Sequence, residues 1–481
     1  MRPGTGWFIT VSVMLGTPDS PLRIAIVGAG PSGFYAAGQL LKNKRHPELV
    51  AEVDLFDKLP TPFGLVRAGV APDHPKIKSV TRIYEKTAAD PRFRFFGGVE
   101  LGRDLTREDL LAHYHAVIYS FGTQTDRRLW IDGEDLPGSH PATTFVAWYN
   151  GHPDAAGLEF DLSAERAVVI GNGNVAIDVA RMLLLTREEL ETTDTADHAI
   201  EAIVGAGVKE VQILGRRGPA QAAFTNPELL ELGEMEGVDV IVDPAVLDLD
   251  EHSAAALDQA GEATARKNVE ILREYAARPT TGAEKRIVLR FLTSPVAIEG
   301  DGKVERIVLE RNELVAEAGG MRAQSTGERE VLETGLVFRA VGYKGLPLAG
   351  IPFDDRAGLI RNVDGRVTDE AGVHLHGEYA AGWIKRGPSG VIGTNKKCAN
   401  DTVDELLHDW TTGHLNAPAD ASRAAIDALL HERVANLVDW QGWQAIDAVE
   451  TAAGEPQGRP RVKLVTYDAL NDAAKGAGTT A

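Results

Sequence analysis

The sequence predicts an α/β protein with two nucleotide-binding units of the strand, turn, helix, strand kind, the second inserted into the first. Three observations predict it. Arg23-Ile24-Ala25-Ile26-Val27, a buried-strand pattern, runs into the glycine-rich turn Gly28-Ala29-Gly30-Pro31-Ser32-Gly33. Ala167-Val168-Val169-Ile170 repeats the plan, running into Gly171-Asn172-Gly173-Asn174-Val175-Ala176. Two further apolar strands that stop at glycine, Ala116 to Gly122 and Leu336 to Gly342, flank the second unit where a chain would leave and rejoin the first.

Each element follows from spacing. After the first turn, Phe34, Ala37, Leu40 and Leu41 recur at helical period, and Val53-Asp54-Leu55-Phe56 forms a strand closed by Asp57. After the second, Ile177, Ala180, Arg181 and Leu184 continue a helix. Its partner strand, Val211-Gln212-Ile213-Leu214, follows an insertion around 186–208. Beyond it come an amphipathic helix over 254–277, strands over 286–292 and 304–311, and the strand Tyr379-Ala380-Ala381-Gly382. Thr394 or Asn395 is the expected N-cap of a helix with Ala399, Val403, Leu406, Leu407 and Trp410 on one face. The expected organisation is 22–125 plus 342–481 as the first domain and 126–341 as the second. Residues 1–21 are an extension without fixed structure, and the last dozen residues fray.

Composition narrows the function. The chain has 481 residues, enough for several cores, and a net charge of −20 from 50 basic and 70 acidic residues. That balance argues against nucleic acid or an anionic membrane as the main partner. No apolar run reaches the length of a membrane span, and the N-terminal stretch is too short and too poor in cations for a signal peptide. Cys398 is the single cysteine. A thiolate-held iron–sulfur cluster and a dithiol relay are therefore both excluded within one chain, and a cytoplasmic location is expected.

The turns carry the chemistry. Gly28 permits a tight turn, Gly30 permits close approach of a pyrophosphate, and Gly33 permits helix–strand packing, while Asp57 is placed to accept from a ribose. At the second turn the third glycine is replaced by Ala176, and the partner strand ends in Gly215-Arg216-Arg217, where an NAD site carries an acid. Two guanidinium groups there suit a 2′-phosphate. The second unit is thus read as the NADP(H) domain and the first as the FAD domain, both Rossmann-like.

Four stretches now resemble a known family, the adrenodoxin reductase-like NADPH–ferredoxin reductases of bacterial type. They are Pro60-Thr61-Pro62-Phe63-Gly64-Leu65-Val66-Arg67-Ala68-Gly69-Val70-Ala71-Pro72-Asp73-His74-Pro75, the turn at Gly171, Gly215-Arg216-Arg217-Gly218-Pro219, and Gly382-Trp383-Ile384-Lys385-Arg386-Gly387-Pro388-Ser389-Gly390-Val391-Ile392-Gly393-Thr394-Asn395. The resemblance spans about residues 22–465. It implies FAD contacts from Ser32, Asp57, Leu65, Leu101, Trp383 and Gly390-Val391-Ile392. It implies NADP contacts from Asn172, Gly173, Asn174, Val175, Arg216, Arg217, Glu228 and Gly390. It places His74 and Glu231 near the hydride-transfer centre. Asp57 departs from the family, which usually has Glu there, and Trp383 stands where many related flavoenzymes have Asp.

The residues make this chemistry reasonable. Hydride transfer needs two rings held close with water excluded, and His74 could orient that site or assist a protonation. Glu228 and Glu231 share a helix face. The expected activity is hydride transfer from NADPH to FAD, then single-electron transfer to an acidic ferredoxin-type carrier. No metal site, nucleic acid or membrane insertion is expected. Lys285, Arg286, Arg290, Lys396 and Lys397 are the candidate docking cations. Another NADPH-dependent flavin reductase of quinone or diaphorase type, a non-catalytic FAD/NADP-binding sensor subunit, and monomer or dimer all remain open.

Overall fold

The computed structural model describes residues 14–259, 261–317, 320–390 and 392–476. Its first sheet has seven strands, in the order Asn362–Val363, Arg366–Thr368, His374–Ala380, Ala116–Tyr119, Leu22–Val27, Ala51–Asp57 and Phe93–Gly97. The central pairings are parallel, so both faces must be covered. Ile24 and Ile26 enter one core with Phe34, Leu40 and Leu406, and Ala25 and Val27 enter a second on the opposite face. Each fully buried isoleucine contributes about 1.5–3 kcal/mol. The helices Pro31–Leu41 and Ile392–Thr412 lie side by side on the first of these faces.

The second sheet has six strands, in the order Ser139–Pro141, Leu336–Arg339, Arg166–Ile170, Glu210–Leu214, Lys285–Arg290 and Val238–Val242. A three-stranded antiparallel sheet, Thr293–Glu299, Arg306–Glu317 and Gly320–Glu333, packs beside it. Outgoing and returning chain meet in one short antiparallel ladder, Thr125–Asp126 with Tyr343–Lys344. The carboxyl-terminal segment binds both units. Arg459 donates to Thr193 O at 3.1 Å and to Asp197 at 2.6 Å, while Lys463 donates to Arg67 O at 3.1 Å and lies 3.1 Å from Asp194.

Several local expectations change. Residues 14–21 of the expected extension are held: Gly16 N donates to Ser20 O, Val50 N to Gly16 O, and Trp410 Nε1 to Leu15 O. Residues 1–13 lie outside the described residues. The single helix expected over 254–277 is two, Glu251–Leu257 and Ala263–Ala277, because Gly261 turns the chain at φ +103° between them. The strands expected over 286–292 and 304–311 are Lys285–Arg290 and Arg306–Glu317. The helix expected to be capped by Thr394 or Asn395 starts at Ile392, so both sit in its first turn. The tail expected to fray contains the helix Tyr467–Lys475, capped by Thr466.

Candidate active site

The first turn is built around its glycines. Gly28 has φ +108°, and a Cβ there would sit 2.6 Å from the Cα and N of Phe121. A Cβ on Gly33 would collide with the Gly28 carbonyl oxygen. Gly30, by contrast, faces open space, and the helix it begins has no side-chain cap. That open, uncapped helix N-terminus is where a pyrophosphate fits. Asp57 accepts from Ala29 N at 2.8 Å and Leu59 N at 2.9 Å, one bond on each oxygen. Burial raises its pKa while those two bonds oppose the rise. Each oxygen keeps a lone pair that a ribose hydroxyl can use.

The 60–75 segment folds over this turn. Phe63 N donates to Ala29 O, and a Cβ on Gly64 would lie 3.0 Å from Gly30 Cα. Leu65 is partly exposed just beyond. On the other side Gly382, at φ +74°, abuts Ser32 Oγ so closely that no Cβ fits. Trp383 follows it, with its ring 5.4 Å from that of Tyr343 and its buried Nε1 without a hydrogen-bond partner. A buried indole N–H without a partner suits a ligand acceptor. Gly390 has φ +78°, and Ile392 is half-buried at the start of the helix. Leu101 is also half-buried, against the second core of the first unit. Val391 lies outside the described residues.

The second turn repeats the construction. Gly171 has φ +130° and abuts Ala340 O, while a Cβ on Gly173 would meet only Ala223 Cβ, at 4.0 Å. The helix Asn174–Met182 has no side-chain cap. Asn174 Oδ1 accepts from Thr225 N at 2.8 Å, Asn172 O accepts from Ala223 N at 3.0 Å, and Val175 packs on the core. Arg216 and Arg217 follow the strand Glu210–Leu214. Their carbonyls accept from Asn312 Nδ2 at 2.9 Å and Leu292 N at 3.0 Å. Neither guanidinium has an ion-pair or hydrogen-bond partner among the described residues. Burial and the charge of Arg216 lower the pKa of Arg217.

Between the two units sits a charged centre. His74, 7% exposed, comes from the first unit. The helix Asn174–Met182 supplies Asp178 and Arg181, and the helix Asn226–Leu232 supplies Glu228 and Glu231. His74 Nε2 lies 3.4 Å from Asp178 Oδ1, 3.4 Å from Glu228 Oε2 and 3.5 Å from Glu231 Oε2. Burial opposes protonation of the ring, the close Asp178 carboxylate favours it and Arg181 opposes it; the balance lies above the ordinary value. Glu228 is pushed up to about 7, first by burial and then by the charge of Asp178. Its Oε2 and Asp178 Oδ1 are buried without a hydrogen-bond partner. Burial, then Asp178, also pushes Tyr343 up to about 12. His74, Asp178 and Glu228 have the spacing of a cation site. The guanidinium of Arg181 already touches the same Nε2, at 2.8 Å, so the positive charge there belongs to the protein.

Three of these residues, Asp178, Arg181 and Tyr343, did not emerge from sequence. Asp178 and Arg181 share the spacing i, i+3 on the helix after the second turn, the one signal available. Among the candidate docking cations, Lys285 donates to Leu184 O, Arg286 pairs with Glu210 and Arg290 with Glu330. Lys285 and Arg286 also open their strand, at the end of the sheet opposite Arg216. Lys396 and Lys397 are exposed and have no ion-pair partner among the described residues.

Comparison with known proteins agrees with this geometry. The family described as "Pyridine nucleotide-disulphide oxidoreductase" matches residues 22–393. The chain is 53% identical over 458 residues to NADPH-ferredoxin reductase FprA of Mycobacterium tuberculosis, covering 94% of this chain and 98% of that protein. It is 40% identical over 473 residues to mitochondrial NADPH:adrenodoxin oxidoreductase of Salvelinus fontinalis, covering 95% and 92%. The structure of Mycobacterium tuberculosis FprA in complex with NADPH superposes with a TM-score of 0.88 at 52% identity, covering 94% of this chain and 99% of that one. With two open glycine turns, a free arginine pair and relatives matched over nearly their whole length, the chain belongs to the pyridine nucleotide-disulphide oxidoreductase family, among the relatives of FprA and adrenodoxin reductase.

Proposed function

We propose that the protein is an NADPH–ferredoxin oxidoreductase: hydride passes from NADPH to FAD, and electrons pass singly to a ferredoxin-type iron–sulfur protein. The observation that carries the coenzyme choice is the Arg216–Arg217 pair, two cations with no anionic partner among the described residues, at the strand end where a 2′-phosphate would lie. FAD, when bound, supplies the conversion of a two-electron hydride into single electrons.

The chain's own residues do the rest. Gly30 and the helix behind it receive the FAD pyrophosphate, and Asp57 accepts from its ribose. Ser32, Leu65, Leu101, Trp383 and the 390–392 run line the remainder of that site. Gly173, with Asn172, Asn174 and Val175, receives the NADPH pyrophosphate. His74, Glu228 and Glu231 face one another where the two units meet, and the aromatic wall of Tyr343 and Trp383 helps exclude water. The FAD domain comprises 22–125 and 342–481, and the NADP domain 126–341.

The partner is an acidic ferredoxin, for which Lys396 and Lys397 offer unpaired positive charge. A single cysteine and the absence of any described helix able to cross a membrane support a cytoplasmic location. Cytochrome c reduction by NADPH, with and without added ferredoxin and beside the visible spectrum, tests the reading. A flavin spectrum with ferredoxin-dependent turnover is expected. Bleaching by NADPH without any ferredoxin effect would replace the acceptor and keep the reductase.

A further inference from the structure

Arg181 is the one cation in the His74 centre, and neither glycine turn requires it. Its side chain is nearly fully buried on the helix Asn174–Met182. The guanidinium pairs closely with Asp73 of the first unit and Glu231 of the second, and lies 3.9 Å from Glu228 Oε2. Its remaining contact is His74 Nε2, at 2.8 Å. A guanidinium carries only donors and keeps its proton, so the nitrogen it touches must accept. An accepting Nε2 means a neutral ring with the proton on Nδ1, an atom with no hydrogen-bond partner among the described residues.

The surrounding carboxylates ask for the opposite. Asp178, Glu228 and Glu231 lie within 3.5 Å of the same Nε2, and Asp73 Oδ1 is 3.8 Å away. Those acids would hold a proton on Nε2. The phenols of Tyr149 and Tyr343 lie near enough for the charge of Asp178 to add to the effect of burial in raising both. One nitrogen cannot both accept from Arg181 and donate to a carboxylate.

We propose that Arg181 is the positioning residue in this contest: it opposes a proton on Nε2 and keeps the proton of the neutral His74 ring on Nδ1, while Asp73 and Glu231 hold Arg181 in place. The inference rests on reading His74 as part of the hydride-transfer site. Burial and the charge of Arg181 work against ring protonation and Asp178 and Asp73 work for it, the acids prevailing, so Arg181 limits a rise that the acids would otherwise make larger. Without it Nε2 faces acids alone, and the ring takes a proton there and keeps it to higher pH.

Ring-nitrogen NMR of histidine-labelled, FAD-loaded full chain tests this, with His74→Gln assigning the resonance. On the alkaline side of its titration the wild-type ring is expected as the Nδ1–H form. Arg181→Gln should raise the His74 titration by about 1–2 pH units and move the proton to Nε2, and Arg181→Lys, which keeps the charge, should restore most of the shift. The pH profile of flavin bleaching by NADPH in a single turnover should move by the same amount. An Nε2–H ring in the wild type overturns the proposal, as does a titration unmoved in Arg181→Gln. The wild-type tautomer decides even where Arg181→Gln does not fold. A bleaching profile that His74→Gln leaves unchanged would instead remove His74 from the hydride-transfer site, with the NMR still judging Arg181.

Discussion

Asp57 ends the partner strand of the first turn and commits both carboxylate oxygens to the backbone N–H groups of Ala29 and Leu59. Arg216 and Arg217 follow the partner strand of the second, and their guanidinium groups have no ion-pair or hydrogen-bond partner among the described residues. The same contrast holds nearby. Beneath the first turn Arg23, Arg94 and Tyr114 all bond the buried Asp54, whereas around the second Asp178 Oδ1 and Glu228 Oε2 are buried without a hydrogen bond, near His74 only at 3.4 Å. A satisfied anchor makes the first turn part of the fold, which suits a cofactor that stays. Adjacent unpaired cations are balanced only by an arriving anion, which suits a coenzyme that comes and goes.

The largest effect that would sharpen this contrast is expected at Gly28. Gly28→Ala combines a positive φ with a Cβ 2.6 Å from Phe121 backbone atoms. It should cost about 3–5 kcal/mol and release FAD. Gly173→Ala meets only Ala223 Cβ at 4.0 Å and should melt like the wild type, losing coenzyme affinity alone. Denaturant melts with flavin content decide; equal melts for the two variants would break the comparison.

Next comes the arginine pair. Arg216→Ala with Arg217→Ala should lower kcat/KM for NADPH by about 100-fold, from roughly 3 kcal/mol of lost charged hydrogen bonds, and leave NADH within about 3-fold. Equal losses for both coenzymes would show that the pair does not read the 2′-phosphate.

Glu228 gives a smaller, pH-dependent effect. Its folded pKa, about 7, lies above its ordinary 4.5, with burial the first cause. The folded state therefore holds the extra proton, and the stability this adds is complete below about 4.5 and lost as pH rises through about 7. Glu228→Gln should abolish that slope, gaining about 1–2 kcal/mol over wild type above neutrality once solvent screening is allowed for. Parallel melting curves across that range would show Glu228 ionised throughout.

Asn312→Ala should have the least effect. Asn312 Nδ2 donates to Arg216 O and to Ser294 Oγ at 2.8 Å. Removing it frees the backbone under Arg216 and should raise KM for NADPH about 3–10-fold, a single hydrogen bond's worth, with NADH unaffected. A change in NADH alone would place Asn312 elsewhere in the site.

How far the site was legible follows from where its constraints lie. Gly28, Gly33 and Gly171 could be read because a tight turn excludes Cβ by local geometry. Arg216 and Arg217 could be read because they directly follow a recognisable strand. The helix break was missed because the apolar spacing was read across it, although Gly261, at φ +103°, turns the chain between the two helices. Lys285, Arg286 and Arg290 suggested a free basic patch, but their partners, Leu184, Glu210 and Glu330, are distant in sequence.

The amino-acid sequence by itself determined the two strand–turn–helix units and the charge that follows each partner strand, since these depend on residues close together in the chain. The charged centre was decided only by the tertiary structure. Asp73 and His74 lie on one unit, and Asp178, Arg181, Glu228 and Glu231 on two helices of the other. Which of them share a proton depends on ångström distances across the interface, and no local pattern encodes those.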